Sequence, residues 1–264
     1  MSKGALGGQR AGSTSTGASP SVAQSAPKVT PTQVTPPTPQ QVASGNVLPQ
    51  GGVPFSDFEK MSDDEKADVI TKALGVGLPL FLDNSGLQKF AYFTGMSDKP
   101  TVVSDSQFDR VRGQTLYRGV HDAYNARTDI GYSSTDIYKQ IRDGDFTMYS
   151  NSGGSVHGKA IYFGSDFGTA RSYSSSGRNP IVMRAKITSG RTISETAANS
   201  NYRTALRRGD KLALACSNAG YDSAANLYAL AKGYDAIQGG YTMVLNRRCL
   251  TISDQTRSAK RSSW

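Results

Sequence analysis

The chain divides near Gln50. From Met1 to Gln50 it has no Asp, no Glu and no aromatic residue. Pro20, Pro27, Pro31, Pro36, Pro37, Pro39 and Pro49 interrupt runs of Ser, Thr, Gln, Ala and Gly. So little bulky apolar surface cannot offset the entropy of ordering a backbone, roughly 1–2 kcal/mol per residue. Residues 1–54 therefore read as a disordered leader. The fold must come from the remaining roughly 210 residues, enough for a single well-filled core.

An acid-free, Ser/Thr/Pro/Gln-rich start suits the leader of a bacterial effector passed through a narrow secretion needle; a plain disordered tail has the same composition. The start lacks the apolar run behind a basic cluster that marks a Sec signal peptide. The longest apolar stretch, "VGLPLFL", is broken by Pro79. A soluble protein without membrane contact is expected.

Net charge is +9, which permits nucleic acid or an acidic protein as partner. The basic residues are scattered, apart from "RTALRRGDK", "NRRC" and "RSAKRSSW". None of these interleaves aromatics at the even spacing of a nucleic-acid groove, so nucleic acid is not the expected partner. Cys216 and Cys249 are two lone thiols without metal spacing, read as a reduced pair, a disulfide being the alternative. Only His121 and His157 could serve a His-based zinc site or a Ser-His-Asp triad, and neither has the local pattern. No metal is expected.

Residues 55–112 read as a helical cap. "MSDDEKADVITKAL" opens on Ser62 and Glu65 at capping-box spacing. "SGLQKFAYFTGM" and "SDSQFDRVR" read as two further short helices. From Gln114 the texture turns to short strands and glycine-rich turns. "TLYRGV", "KAIYF", "PIVMRAKI", "YDAI" and "YTMVLNRRCLTI" read as strands. "DFGTARSYSS" reads as a short helix starting near Asp166, and a longer helical stretch surrounds 212–231. "DGDFTMYSNSGGSVHG" and "DIGYSSTDIY" read as loops. The expectation is an α+β fold with two small facing sheets over 113–264.

Four pieces recur in order: Arg118 in "LYRG", Tyr162 in "GKAIYF", Tyr173 in "TARSY", and the strand "YTMVLN". This set resembles the ADP-ribosyltransferase superfamily. "GKAIYFGSDFGTARSY" is similar to the "GKGIYFA…S…Y" pattern of its diphtheria-toxin-like and PARP-like branch. Arg118-Gly119 stands where that branch has His-Gly, as the arginine-type toxins have it. "DIGYSSTDIY" is similar to the Ser-Thr-Ser strand of those toxins. With the leader, the whole looks like the bacterial effectors that ADP-ribosylate ubiquitin on threonine.

The resemblance implies a core of two small sheets clamping NAD as co-substrate. It implies a monomer acting in the host cytosol on a host protein, ubiquitin among the candidates. Tyr162 and Tyr173 would hold the flat nicotinamide ring, since aromatic pairs contribute about 0.5–1.5 kcal/mol beyond area burial. Phe163 and Tyr241 would also contact NAD, and Ser165 would bind its adenine ribose. Gly119 would let backbone approach the carboxamide. Arg118 would fork onto ribose or pyrophosphate oxygens. Each has a plainer alternative: Tyr162 and Tyr173 as core rings, Arg118 as a surface residue, Ser165 as a helix cap. Ser133 and Ser134 read more readily as turn residues than as catalytic ones.

The sequence departs from the family at the acid. Members usually carry a Glu at the start of the last-sheet strand, where it favours the cationic transition state at the ribose. Here "GGYTMVLN" puts Tyr241 near that place, and Glu195 is the only Glu beyond Glu65. Asp235 and Gln238 are the nearest substitutes, Tyr241 and Glu195 the next; Asp235 is equally a turn-stabilising carboxylate. Absence of the Glu-x-Glu pair of arginine-modifying toxins points to a hydroxyl acceptor. The alternative is a catalytically inactive NAD- or ADP-ribose-binding module of the same fold.

Overall fold

A computed structural model of the chain describes residues 47–76, 86–96, 99–125, 130–143, 160–175 and 177–259. The expected loop over 143–158, His157 within it, lies outside the described residues except for Asp143, which ends a helix, and nearly all of the expected leader lies outside them too.

Local chemistry sets the first helices. After the short α1 (Phe55–Phe58), α2 (Asp63–Gly75) begins at a complete capping box. The Ser62 N–H donates to Glu65 Oε2 at 2.8 Å and the Glu65 N–H to Ser62 Oγ at 3.4 Å. Ala67, Ile70 and Ala73, spaced one helical turn apart, turn inward. α3 (Gly86–Thr94) is buried on every side, with Leu87, Phe90, Tyr92 and Phe93 in the core. A Cβ at Gly86 would run into the Ala219 backbone, so glycine lets that turn of α3 approach closely. α4 (Asp105–Arg110) repeats the capping box with Ser104 and Gln107.

Two small sheets carry the rest. In the first, β6 (Ile181–Ile187) is central. β2 (Leu116–Val120) runs antiparallel along one side of it. β10 (Leu250–Ser253) and β11 (Arg257–Ser258) share the other side. β1 (Thr101–Val103) adds to β10 in parallel. The second sheet runs β5 (Ile161–Phe163), β9 (Thr242–Val244), β8 (Ala236–Gln238), β7 (Thr192–Ser194). β3 (Ala123–Asn125) and β4 (Ile130–Tyr132) form a separate hairpin. The fold is mixed α/β with two small sheets, consistent with α+β.

The remaining helices are α5 (Ser134–Asp143), α6 (Phe167–Ser175), α7 (Glu195–Arg207), α8 (Lys211–Ser217) and α9 (Tyr221–Ala231). Among the described residues, no helix is long and apolar enough to cross a membrane.

The structure differs from the sequence expectation at three places. "TVV" within the expected cap is a strand, and α2 and α3 share one core cluster with the second half of the chain. "DIGYSSTDIY" holds β4 and the start of α5, because Ser133 and Asp136 close a capping pair: the Asp136 N–H donates to Ser133 Oγ at 3.1 Å and that hydroxyl donates back at 2.6 Å. Helix also begins well before Leu212, at Glu195, where Ser194 Oγ accepts the Ala197 N–H at 3.2 Å.

Candidate functional site at the junction of the two sheets

Among the described residues, one backbone bridge joins the two sheets. The Tyr117 N–H donates to the Gly164 carbonyl and the Gly164 N–H to the Tyr117 carbonyl, each at 2.8 Å. Alternation along β2 then decides what faces where. Tyr117 and Gly119 turn toward α6: the Tyr117 ring meets Phe167 edge-on at 5.7 Å, and a Cβ on Gly119 would collide with the Ala170 carbonyl. Helix packing accounts for that glycine. Leu116, Arg118 and Val120 turn the other way.

Arg118 lies beside the bridge. Its Nη1 donates to the Tyr162 carbonyl at 2.9 Å, and its buried Nε has no hydrogen-bond partner. No carboxylate pairs with it among the described residues. Burial lowers its pKa to about 10, an effect the neighbouring Tyr162 phenol opposes. The guanidinium is therefore charged at neutral pH, half-buried, and without an anion among the described residues.

The other expected site residues fall into distinct settings. Tyr162 is half-buried at the centre of β5, while Phe163 beside it is sealed in the core at 1% exposure. Ser165 is exposed and leaves the capping of α6 to Asp166, whose Oδ2 accepts the Thr169 N–H at 2.5 Å. Tyr173 is 62% exposed. It meets Tyr241, with hydroxyls 3.0 Å apart and rings edge-on at 6.4 Å. That hydrogen bond raises the Tyr241 phenol above its ordinary range. The structure thus brings together two pairs, Arg118 with Tyr162 and Tyr173 with Tyr241.

The substitutes for the missing acid separate as clearly. Asp235 is buried, and both its carboxylate oxygens are engaged. Oδ2 accepts the Arg191 N–H and Oδ1 accepts Arg248 Nε, each at 2.9 Å. Arg248 forks onward to Glu59 at 2.9 and 2.5 Å, tying α1 to the second sheet. Gln238 is exposed at the end of β8 and helps line a cavity of about 340 Å³ with Leu116, Thr188, Ser189 and Thr192. Glu195 follows β7 directly. Its carboxylate sits against Gly239, where a Cβ would strike Oε2, and the Gly239 N–H donates to the Tyr241 carbonyl at 3.0 Å. Continuing the strand registers by one residue sets Gly164, Tyr241, Gly239 and Glu195 in one row across the sheet end.

Ser133 caps α5, and Ser134 is its first residue, with its N–H donating to Asp122 Oδ1 at 2.9 Å. Cys216 and Cys249 are free and buried, and burial pushes the Cys249 thiol up to about 12. Sequence reasoning missed the Tyr117–Gly164 joint, for which no residue pattern exists, since any backbone can supply those two bonds.

Set against protein-family models, curated proteins and solved structures, the chain matches none.

Proposed function

We propose that the chain is an NAD-dependent mono-ADP-ribosyltransferase. In this reading it modifies a hydroxyl of a host protein, with threonine of ubiquitin the first candidate, after delivery as a bacterial effector. The observation that carries the proposal is Arg118 at the joint of the two sheets, whose buried Nε is bare and which meets no counter-anion among the described residues. A buried charge without an anion is costly, and the pyrophosphate of NAD supplies one with matching fork geometry. Tyr162, half-buried, stands beside it, and Tyr173 with Tyr241 offers ring surface further out.

Breaking the nicotinamide–ribose bond places positive charge on the sugar, so the reaction needs an anion or dipole aimed there. Glu195 fills that role in our reading in place of Asp235, whose oxygens are already committed to Arg191 and Arg248. Gln238 stands beside it as a neutral alternative. The engagement of Asp235 is also what favours the second reading, an inactive NAD-binding module. Incubating host lysate with the protein and labelled NAD, followed by mass spectrometry, separates the two. Binding of NAD with neither transfer nor hydrolysis leaves the second reading standing.

A further inference from the structure

Away from the junction, α7 meets α9 where the Tyr202 ring lies 5.7 Å from Tyr228. A cavity of about 560 Å³ lies between them, within the range of ligand sites. Its floor is made of Ala198 and Ala205 on α7, Ala229 on α9 and Ile193 on β7. Small side chains at these positions leave the room that larger ones would fill. Ala198, Asn201, Ala205 and Arg208 recur on one face of α7. At 1.5 Å per residue the trough runs about 15 Å, the span of roughly five extended residues.

The charge of the trough is unbalanced. Arg191, Arg208 and Lys232 line it against one carboxylate, Asp210. Asp210 Oδ1 caps α8 by accepting the Ala213 N–H at 2.9 Å, and Lys232 is already paired with Asp63 at 2.6 Å. Neither arginine meets a carboxylate among the described residues. Arg191 donates Nη1 to the Lys232 carbonyl at 3.2 Å and lies 4.5 Å over the Tyr234 ring. Arg208 is exposed at the end of α7 and meets no carboxylate among the described residues.

We propose that this trough binds an extended acidic segment of a protein partner. Carboxylates fork onto Arg191 and Arg208, and a small apolar side chain rests on the alanine floor. A nucleotide fits less well, because it needs an open ring face. Tyr234 is covered by Arg191, and Tyr228 is flanked by Tyr202 at 5.7 Å and Lys232 at 5.9 Å. The site stands apart from the NAD reading and does not depend on it.

The test uses the full chain and a fluorescein-labelled peptide of alternating Glu and Leu, read by anisotropy. Saturable binding is expected, weakened at least about tenfold by Arg208→Glu and by Arg191→Gln, with circular dichroism unchanged. The same peptide with Gln for Glu should not bind. Equal binding of the Glu and Gln peptides, undiminished binding by both variants, or saturable binding of AMP in place of the peptide would each overturn the proposal.

Discussion

Arg118 and Arg184 sit on neighbouring strands and could hardly be treated more differently. The β2–β6 register sets Tyr117 opposite Arg184 and Arg118 opposite Met183, so the two guanidiniums point to opposite faces of one sheet. On one face, Arg184 pairs with Asp105 and with Asp109 and lies 4.7 Å over the Phe108 ring. On the other, Arg118 has a backbone carbonyl and nothing anionic among the described residues. Both leave Nε bare, so the difference lies in the counter-charge. A buried cation that brings its own carboxylates holds a fold together; one without them is, in our proposal, where the anion of NAD binds.

The largest expected effect breaks this comparison directly. Arg118→Ala should lower ADP-ribose transfer by roughly 10²–10³-fold, the scale for losing a charge-stabilising contact, with melting temperature unchanged or raised. Arg118→Lys should fail too, because an ammonium lacks the fork. Arg184→Ala should do the reverse, costing about 2 kcal/mol of stability while leaving the activity of the folded fraction intact. Equal loss of activity from both variants would erase the distinction.

The next effect concerns the two acids. Glu195→Gln should cut turnover by about 10²-fold at nearly constant NAD affinity, since charge on the ribose develops only as the bond breaks. Asp235→Asn should instead destabilise by about 3 kcal/mol, seen as a lower thermal midpoint, because Asn keeps one acceptor oxygen and turns an NH2 donor on either Arg248 Nε or the Arg191 N–H. A turnover defect confined to Asp235→Asn would move the acid back to that residue.

A smaller effect is in pH. With its pKa lowered to about 10, Arg118 keeps its charge through neutral conditions. NAD affinity, measured calorimetrically, should be flat from neutral pH upward and weaken as pH rises through about 10. Above about 10 the folded state binds fewer protons at Arg118 than the unfolded chain, so the burial penalty is relieved as pH rises rather than deepened. The smallest effect is at the rim. Tyr173→Phe removes only an exposed hydroxyl contact and should change NAD affinity less than about threefold. Tyr173→Ala, which removes the ring, should cost about 0.5–1.5 kcal/mol of binding.

What the sequence shows of this fold follows from how local each interaction is. The capping boxes at Ser62 and Ser104 and the strand–helix unit from Ile161 to Ser175 depend on residues three or four positions apart. They could be read directly or nearly so. The strand "TVV" could not, because its partner is Thr251–Ser253, far along the chain, and three residues have no period of their own. The site shows the same limit. Arg118 and Tyr162 stand out as residue types, yet the bond joining them ends on a backbone carbonyl that any residue would supply. That Asp235 is occupied by Arg248 is invisible in "YDAI". That Glu195 reaches Gly239 depends on β7 running parallel to β8.

The pair of hydrogen bonds between Tyr117 and Gly164 has a consequence for timing. Among the described residues it is the seam along which one sheet ends and the other begins, so the two amide protons exchange with deuterium only when that seam parts. They report on the opening of the junction itself, separately from global unfolding. An anion gripped by Arg118, one residue along the same strand, would hold the seam shut and slow both exchanges together.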